Sequence, residues 1–124
     1  TAGASFIASS FAGNTKHATE MIETAIKHRG FSYVDIYQPC VTYNYINTYA
    51  YYSERTYQLP EDYNPSLKAQ AFEKSFEIDG GEKYPLGVIY QETRRTLEDE
   101  LLPNNPQLVE YEVTDRDISP LIRR

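Results

Sequence analysis

Between residues 15 and 29, apolar side chains recur every three or four positions. Ala18, Met21, Ile22, Ala25 and Ile26 fall at i, i+3, i+4, i+7 and i+8, which is one stripe of an amphipathic helix. Lys16, Glu20, Glu23 and Lys27 take the opposite side. Asn14 or Thr15 is suited to cap the first turn, because a short polar side chain can accept from the free amides there. Lys27, His28 and Arg29 place cations in the last turn, where the helix dipole favours them. Gly30 is then expected as the C′ residue. Two runs flank this helix. Ala4-Ser5-Phe6-Ile7-Ala8 is short and β-prone, and Phe31-Ser32-Tyr33-Val34-Asp35-Ile36-Tyr37 is rich in aromatic and β-branched residues, the composition of a strand. Strand, helix and strand in about 35 residues predict a βαβ unit with parallel strands. Pro39 ends the second strand, since it cannot donate to a ladder.

Beyond Pro39 the pattern loosens. Residues 47–55 predict a short helix, and Ser66 opens a second one through about Glu77, with Leu67, Ala71, Phe72, Phe76 and Ile78 facing inward. Asp79-Gly80-Gly81 is a turn. Tyr84-Pro85-Leu86-Gly87-Val88-Ile89-Tyr90 is apolar enough for a strand buried on both faces. Residues 93–102 predict a short charged helix. The predicted class is α/β with a partial doubly wound parallel sheet, in a domain over residues 1–102 followed by a C-terminal extension over 103–124 that docks onto a neighbour.

A net charge of −6 excludes nucleic acid and anionic membrane as natural partners, since both need a basic face. No apolar run nears the ~20 residues of a membrane span. One cysteine precludes an internal disulfide and fits a reducing cytoplasm. The chain starts at Thr1 and enters a strand almost at once, which reads as a processed end or an excised piece. Tyrosine is the oddity: Tyr43, Tyr45, Tyr49, Tyr51, Tyr52 and Tyr57 crowd one segment. An apolar ring with a polar tip suits both a packing cluster under a loop and a subunit interface, and the sequence favours neither.

The chemistry gathers at Cys40. In an open α/β sheet, ligands bind at the carboxyl ends of the strands, and the Ser9–Asn14 and Gln38–Asn44 segments both lie there. A lone cysteine is commonly an inert small apolar residue. As a nucleophile it needs a base. His28 is expected at the far end of the helix, and His17 is near the correct edge with nothing in the sequence to orient it. As an iron–sulfur ligand Cys40 is insufficient alone, because a cluster takes about four thiolates. Asp35 and Glu54 are the plausible carboxylate pair nearby, and as a pair they read as structural acids. Ser9-Ser10-Phe11-Ala12-Gly13-Asn14 reads as an ordinary βα turn or as an anion site at a helix start; it lacks the glycine pattern of a phosphate loop.

Gln38-Pro39-Cys40-Val41-Thr42-Tyr43-Asn44, with Gly3-Ala4-Ser5-Phe6-Ile7-Ala8, Lys16-His17, Ala25-Ile26-Lys27-His28-Arg29-Gly30-Phe31, Asp35-Ile36, Asn47-Thr48-Tyr49 and the Tyr84–Tyr90 strand, resembles the C-terminal half of the β subunit of 2-oxoacid:ferredoxin oxidoreductases. The resemblance covers residues 3 to about 90. It implies the C-terminal portion of a thiamine-diphosphate-binding fold, in an enzyme that carries thiamine diphosphate, Mg²⁺ and a [4Fe–4S] cluster. Three cluster cysteines of the family lie near the N-terminus, and the fourth matches Cys40. The implied reaction is oxidative decarboxylation of a 2-oxoacid such as pyruvate or 2-oxoglutarate to an acyl-CoA. Electrons pass to ferredoxin, and the rest of the active site comes from an α subunit. Three features depart from the family. The Gly-Asp-Gly…Asn signature and the upstream cysteines are absent, and Gly13-Asn14 stands where many relatives have Gly-Asp. The chain alone is therefore expected to bind neither cofactor and to be inactive. The alternative is a non-catalytic α/β interaction module that uses its tyrosine-rich face.

Overall fold

Asn14 closes the first strand and starts the helix. Its side-chain Oδ1 accepts from the His17 amide at 3.2 Å, and its carbonyl accepts from Ala18. In this computed structural model, which describes residues 3–101, β1 (Phe6–Phe11), α1 (Thr15–Lys27) and β2 (Ser32–Tyr37) form the expected parallel βαβ unit, with Phe6 opposite Ser32 and Phe11 opposite Tyr37. Then come α2 (Tyr49–Arg55), β3 (Thr56–Gln58), α3 (Lys68–Asp79), β4 (Tyr84–Gln91) and α4 (Leu97–Leu101). By contacts the chain divides into a unit Thr1–Arg94 and a unit Arg95–Arg124. In the second, Thr96 and Asp99 cap α4 reciprocally, each side chain accepting from the other's amide. The expected extension 103–124 lies outside the described residues.

The sheet order is β2-β1-β4-β3. The α/β class stands, but the sheet is mixed rather than wholly parallel: β4 runs antiparallel to β1, with a register shift between Ile7 and Ala8, while β3 and β4 are parallel. The sheet thus consists of two βαβ units, β1-α1-β2 and β3-α3-β4, set side by side in opposite directions. β3, three residues long, has no counterpart among the expected elements. Its Thr56-Tyr57-Gln58 sequence is too short to show a period, and only its pairing with Tyr84-Pro85-Leu86 makes it a strand.

Parallel crossovers are right-handed. Both units step across the sheet in the same sense while their strands point oppositely, so the two helices come to lie on opposite faces. The side chains agree. Phe6 and Ser10 point to α1, where the Phe6 ring packs 5.3 Å from His28 and Ser10 Oγ meets His17 Nδ1 at 2.8 Å. Ile7 and Ser9, with Tyr33, Asp35 and Tyr37 opposite them, turn to the α3 face. Near the carboxyl ends of β1 and β2 that face is covered by an aromatic cluster of Phe11, Tyr37 and Leu86 with Tyr52 of α2 and Tyr84.

The inward stripe of α1 differs from the expected one. His17, Ala18, Met21, Ala25 and His28 are partly covered, whereas Ile22 is 42% and Ile26 78% exposed. The helix is rotated so that two buried serines on its side of the sheet, Ser5 and Ser10, meet its histidines. Ser10 takes His17. Ser5 Oγ lies 3.0 Å from His28 Nε2 and donates to the Phe31 carbonyl at 3.2 Å. Ser9, on the other face, donates to the Pro85 carbonyl at 2.5 Å. A buried hydroxyl without a partner is costly, and this outweighs the burial of two isoleucines that a neighbour can still cover. Gly30 is not the expected C′ residue. His28, with extended backbone angles, ends the helix, and Gly30 at φ +128° lies against Ser5 in the lead-in to β2. On α3, Ala71 and Ile78 are partly covered as expected, but Leu67, Phe72 and Phe76 are exposed.

Candidate functional site

The carboxyl ends of β1 and β2 lie side by side, with Ala12 N donating to the Tyr37 carbonyl. Ser9, Ser10 and Phe11 belong to β1 itself, so the turn before α1 is only residues 12–14. After Tyr37, Pro39 is buried while Cys40 is exposed. A tight turn follows, in which Asn44 N donates to the Cys40 carbonyl at 2.9 Å and Asn44 Oδ1 accepts from both Ile46 N and Asn47 N. The run Cys40-Val41-Thr42-Tyr43-Asn44 is thus a self-braced loop that presents a thiol to solvent beyond the carboxyl end of β2.

Its flanks are apolar and open. Val41, Tyr43, Tyr45 and Ile46 are 69–87% exposed. The packing reading of the tyrosine-rich segment holds for part of it. Tyr52 stacks on Tyr37 at 5.9 Å and Tyr51 bonds Tyr84 and the Gly81 carbonyl, as packing residues do. Tyr43 and Tyr45 face water.

The other candidates separate. Ser10 orients His17, supplying what the sequence lacked, but takes its Nδ1 in doing so. Partial burial lowers the pKa of His17, with the Glu20 charge opposing. His28 lies at the opposite end of α1, packed on Phe6. Asp35 and Glu54 do not meet. Asp35 lines a cleft between the sheet and α3, and Glu54 borders a polar depression with Tyr57, Lys74 and Glu77. In that depression Tyr57 donates to Glu77 at 2.5 Å, and Lys74 reaches Tyr57 at 2.9 Å and Glu77 at 2.7 Å. Sequence reasoning did not single out this triad; only the i, i+3 spacing of Lys74 and Glu77 hinted at it. The cleft was also missed, although the period-2 set Tyr33, Asp35 and Tyr37 marks one strand face.

The donors present decide how much of a [4Fe–4S] cluster this chain can hold. Its one cysteine supplies a single thiolate, against the roughly four a cluster takes. Among the described residues no three His, Cys, Asp or Glu side chains converge to hold a metal ion. The donor set of this chain therefore does not fit a whole cluster; it fits one ligand of one. No helix among the described residues is long and apolar enough to cross a membrane.

Residues 40–104 match the sequence profile of a family described as the C-terminal part of the pyruvate ferredoxin oxidoreductase beta subunit. The match starts at Cys40. The chain is 37% identical to a 2-oxoacid:ferredoxin oxidoreductase subunit beta from Sulfolobus sp. over 88% of its own length and 39% of that subunit's. It is likewise 37% identical to the subunit of that name from Saccharolobus solfataricus, over 87% and 39%. In three dimensions it resembles a chain of a 2-oxoglutarate:ferredoxin oxidoreductase from Magnetococcus marinus, solved with 2-oxoglutarate, coenzyme A and succinyl-CoA bound. The TM-score is 0.75 at 31% identity, covering 98% of this chain and 41% of that one. The chain thus spans about two fifths of the length of these relatives.

Proposed function

Because this chain belongs to the C-terminal family of 2-oxoacid:ferredoxin oxidoreductase β subunits, we propose that it works as the C-terminal part of such a subunit. The assembled enzyme oxidatively decarboxylates a 2-oxoacid, pyruvate or 2-oxoglutarate, to an acyl-CoA with ferredoxin as electron acceptor. Thiamine diphosphate and Mg²⁺ are held by parts of the subunit outside this chain. Cys40 supplies one thiolate to a [4Fe–4S] cluster whose other ligands also lie outside it. The observation that carries this reading is the placement of the lone thiol. It is exposed at the carboxyl ends of β1 and β2, in a loop braced by Asn44, at the start of the family match. The exposed Val41, Tyr43, Tyr45 and Ile46 beside it supply apolar surface for the α subunit.

The test is Cys40→Ser in the assembled enzyme. Iron and sulfide per β subunit are expected to drop sharply and ferredoxin reduction to fall at least tenfold, with the subunits still associated. Unchanged iron content would refute the assignment of Cys40.

A second reading, a non-catalytic interaction module, is favoured by the same exposed loop. It predicts that a Tyr43→Ser, Tyr45→Ser variant loses its protein partner while no 2-oxoacid-dependent ferredoxin reduction is found in the complex with the α subunit.

A further inference from the structure

We propose that Ser10 and His17 form a pH-sensitive latch, which holds the first turn of α1 on the carboxyl end of β1 and opens when the His17 ring takes up a second proton. The latch lies within this chain's own helix and strand and does not depend on the family reading.

Apolar contact docks α1 only weakly. None of its residues is fully buried, and Ile22 and Ile26 face outward. The side-chain bond that fixes its first turn to the sheet is Ser10 Oγ to His17 Nδ1, at 2.8 Å. Ser10 is 0% exposed, and His17 is the one hydrogen-bond partner of its hydroxyl among the described residues. With a neutral ring, the hydroxyl donates to Nδ1 and Nε2 carries the ring proton. A second ring proton goes to Nδ1 and reverses the bond. The hydroxyl must then accept, and its own proton is left in the interior without an acceptor, which is costly.

Charge placement works in the same direction. His17 is the third residue of α1, where the helix dipole disfavours a cation, and Lys16 already places one beside it. No acidic residue stands in that turn. Glu20, further along the helix, is the opposing charge. The strand faces under α1 carry no charge: Phe6, Ala8 and Ser10 of β1 and, opposite them, Ser32, Val34 and Ile36 of β2. Burial outweighs Glu20 and holds the His17 pKa below its ordinary value. The closed latch is therefore favoured above the ordinary histidine pKa of about 6.5 and weakens as the pH falls. The turn next to it, residues 12–14, is bonded through Ala12 N to the Tyr37 carbonyl, so the released segment adjoins the strand end that leads to Cys40.

Amide hydrogen exchange on the full chain, followed by NMR and corrected for the intrinsic effect of pH, tests the latch. The reporters are the amides of His17 and Ala18, both bonded to Asn14. Their opening should rise at least threefold between about pH 7.5 and pH 5.5, while the β1 amides paired with β2 change less than twofold. In Ser10→Ala the two reporters should be as open at the upper pH as they are in the unsubstituted chain at the lower. In His17→Gln the side-chain carbonyl can still accept from Ser10 and does not titrate, so opening should stay within twofold across the range. The latch is overturned if opening does not rise in the unsubstituted chain, or if it rises equally in His17→Gln. Reporters left closed by Ser10→Ala would overturn it too, and so would β1 amides that open in parallel, since the event would then be unfolding of the sheet.

Discussion

Gly30 is the position where one added methyl group should do most harm. Its φ of +128° is a backbone conformation that an L residue holds at a cost of about 1–3 kcal/mol. A Cβ there would come 2.1 Å from Ser5 Oγ and 3.1 Å from Ser5 Cβ. Ser5 is 1% exposed and has nowhere to retreat. Turning its hydroxyl away breaks the contacts to His28 Nε2 and to the Phe31 carbonyl, each worth about 0.5–1.5 kcal/mol. Gly30→Ala should therefore cost roughly 2–6 kcal/mol, a large share of the 5–15 kcal/mol typical of a domain. Urea unfolding followed by circular dichroism measures it. A double-mutant cycle separates the two causes. With Ser5→Ala already present, the clash with the hydroxyl and its bonds are gone while the tight approach to the residue 5 Cβ stays, so Gly30→Ala should cost chiefly the backbone strain, about 1–3 kcal/mol. A cost below ~0.5 kcal/mol for the single variant, well under the strain expected, would refute the reasoning. An equal cost in both backgrounds would refute the clash with Ser5.

Glu77 carries a pH-dependent share of stability. Burial alone would raise its pKa, but hydrogen bonds from Lys74 and Tyr57 prevail and hold it below the ordinary carboxylate value. A depressed folded pKa means the contribution is present above the unfolded pKa and disappears as pH falls through the folded one. Glu77→Gln should cost about 1–2 kcal/mol at pH 7, allowing for a pair that is a fifth to a third exposed, and progressively less as the pH falls through the depressed folded pKa; urea midpoints measured across an acid pH series check this. His17 is also depressed, by burial, so the fold favours its neutral ring, and stability present above the unfolded pKa of about 6.5 is lost as pH drops. His17→Gln should flatten the dependence of the melting temperature on pH between about 7 and 5.

The local grammar of the chain was legible without a structure. Asn14 caps α1 because a short amide at that place accepts the His17 amide, and any sequence with Asn before an amphipathic stripe signals as much. The βαβ unit followed from one switch of period. The edge that carries Cys40 followed from the rule for open α/β sheets, and the Pro-Cys-Val-Thr-Tyr-Asn run pointed to the family. The parts that failed to show depend on partners distant in sequence. The stripe of α1 was misplaced because apolar count ignores that Ser5 and Ser10 need His28 and His17, and a hydrogen-bond debt in the strand turned the helix. The tyrosine cluster resisted a single reading because its members go both ways: Tyr52 into the packing, Tyr43 and Tyr45 into water.

What the sequence alone determined is therefore the set of elements apart from β3, the first parallel unit, and the place of the thiol at its carboxyl edge. The tertiary structure alone decided that β4 runs against β1, that Thr56-Tyr57-Gln58 is a strand, and that a cleft opens over Tyr33, Asp35 and Tyr37. A side-chain period reports which face of an element is apolar, but it is the same whichever way a strand points. Direction is settled only when strands pair across the chain, and with right-handed crossovers that direction places α3 opposite α1 and leaves half of each face to be covered.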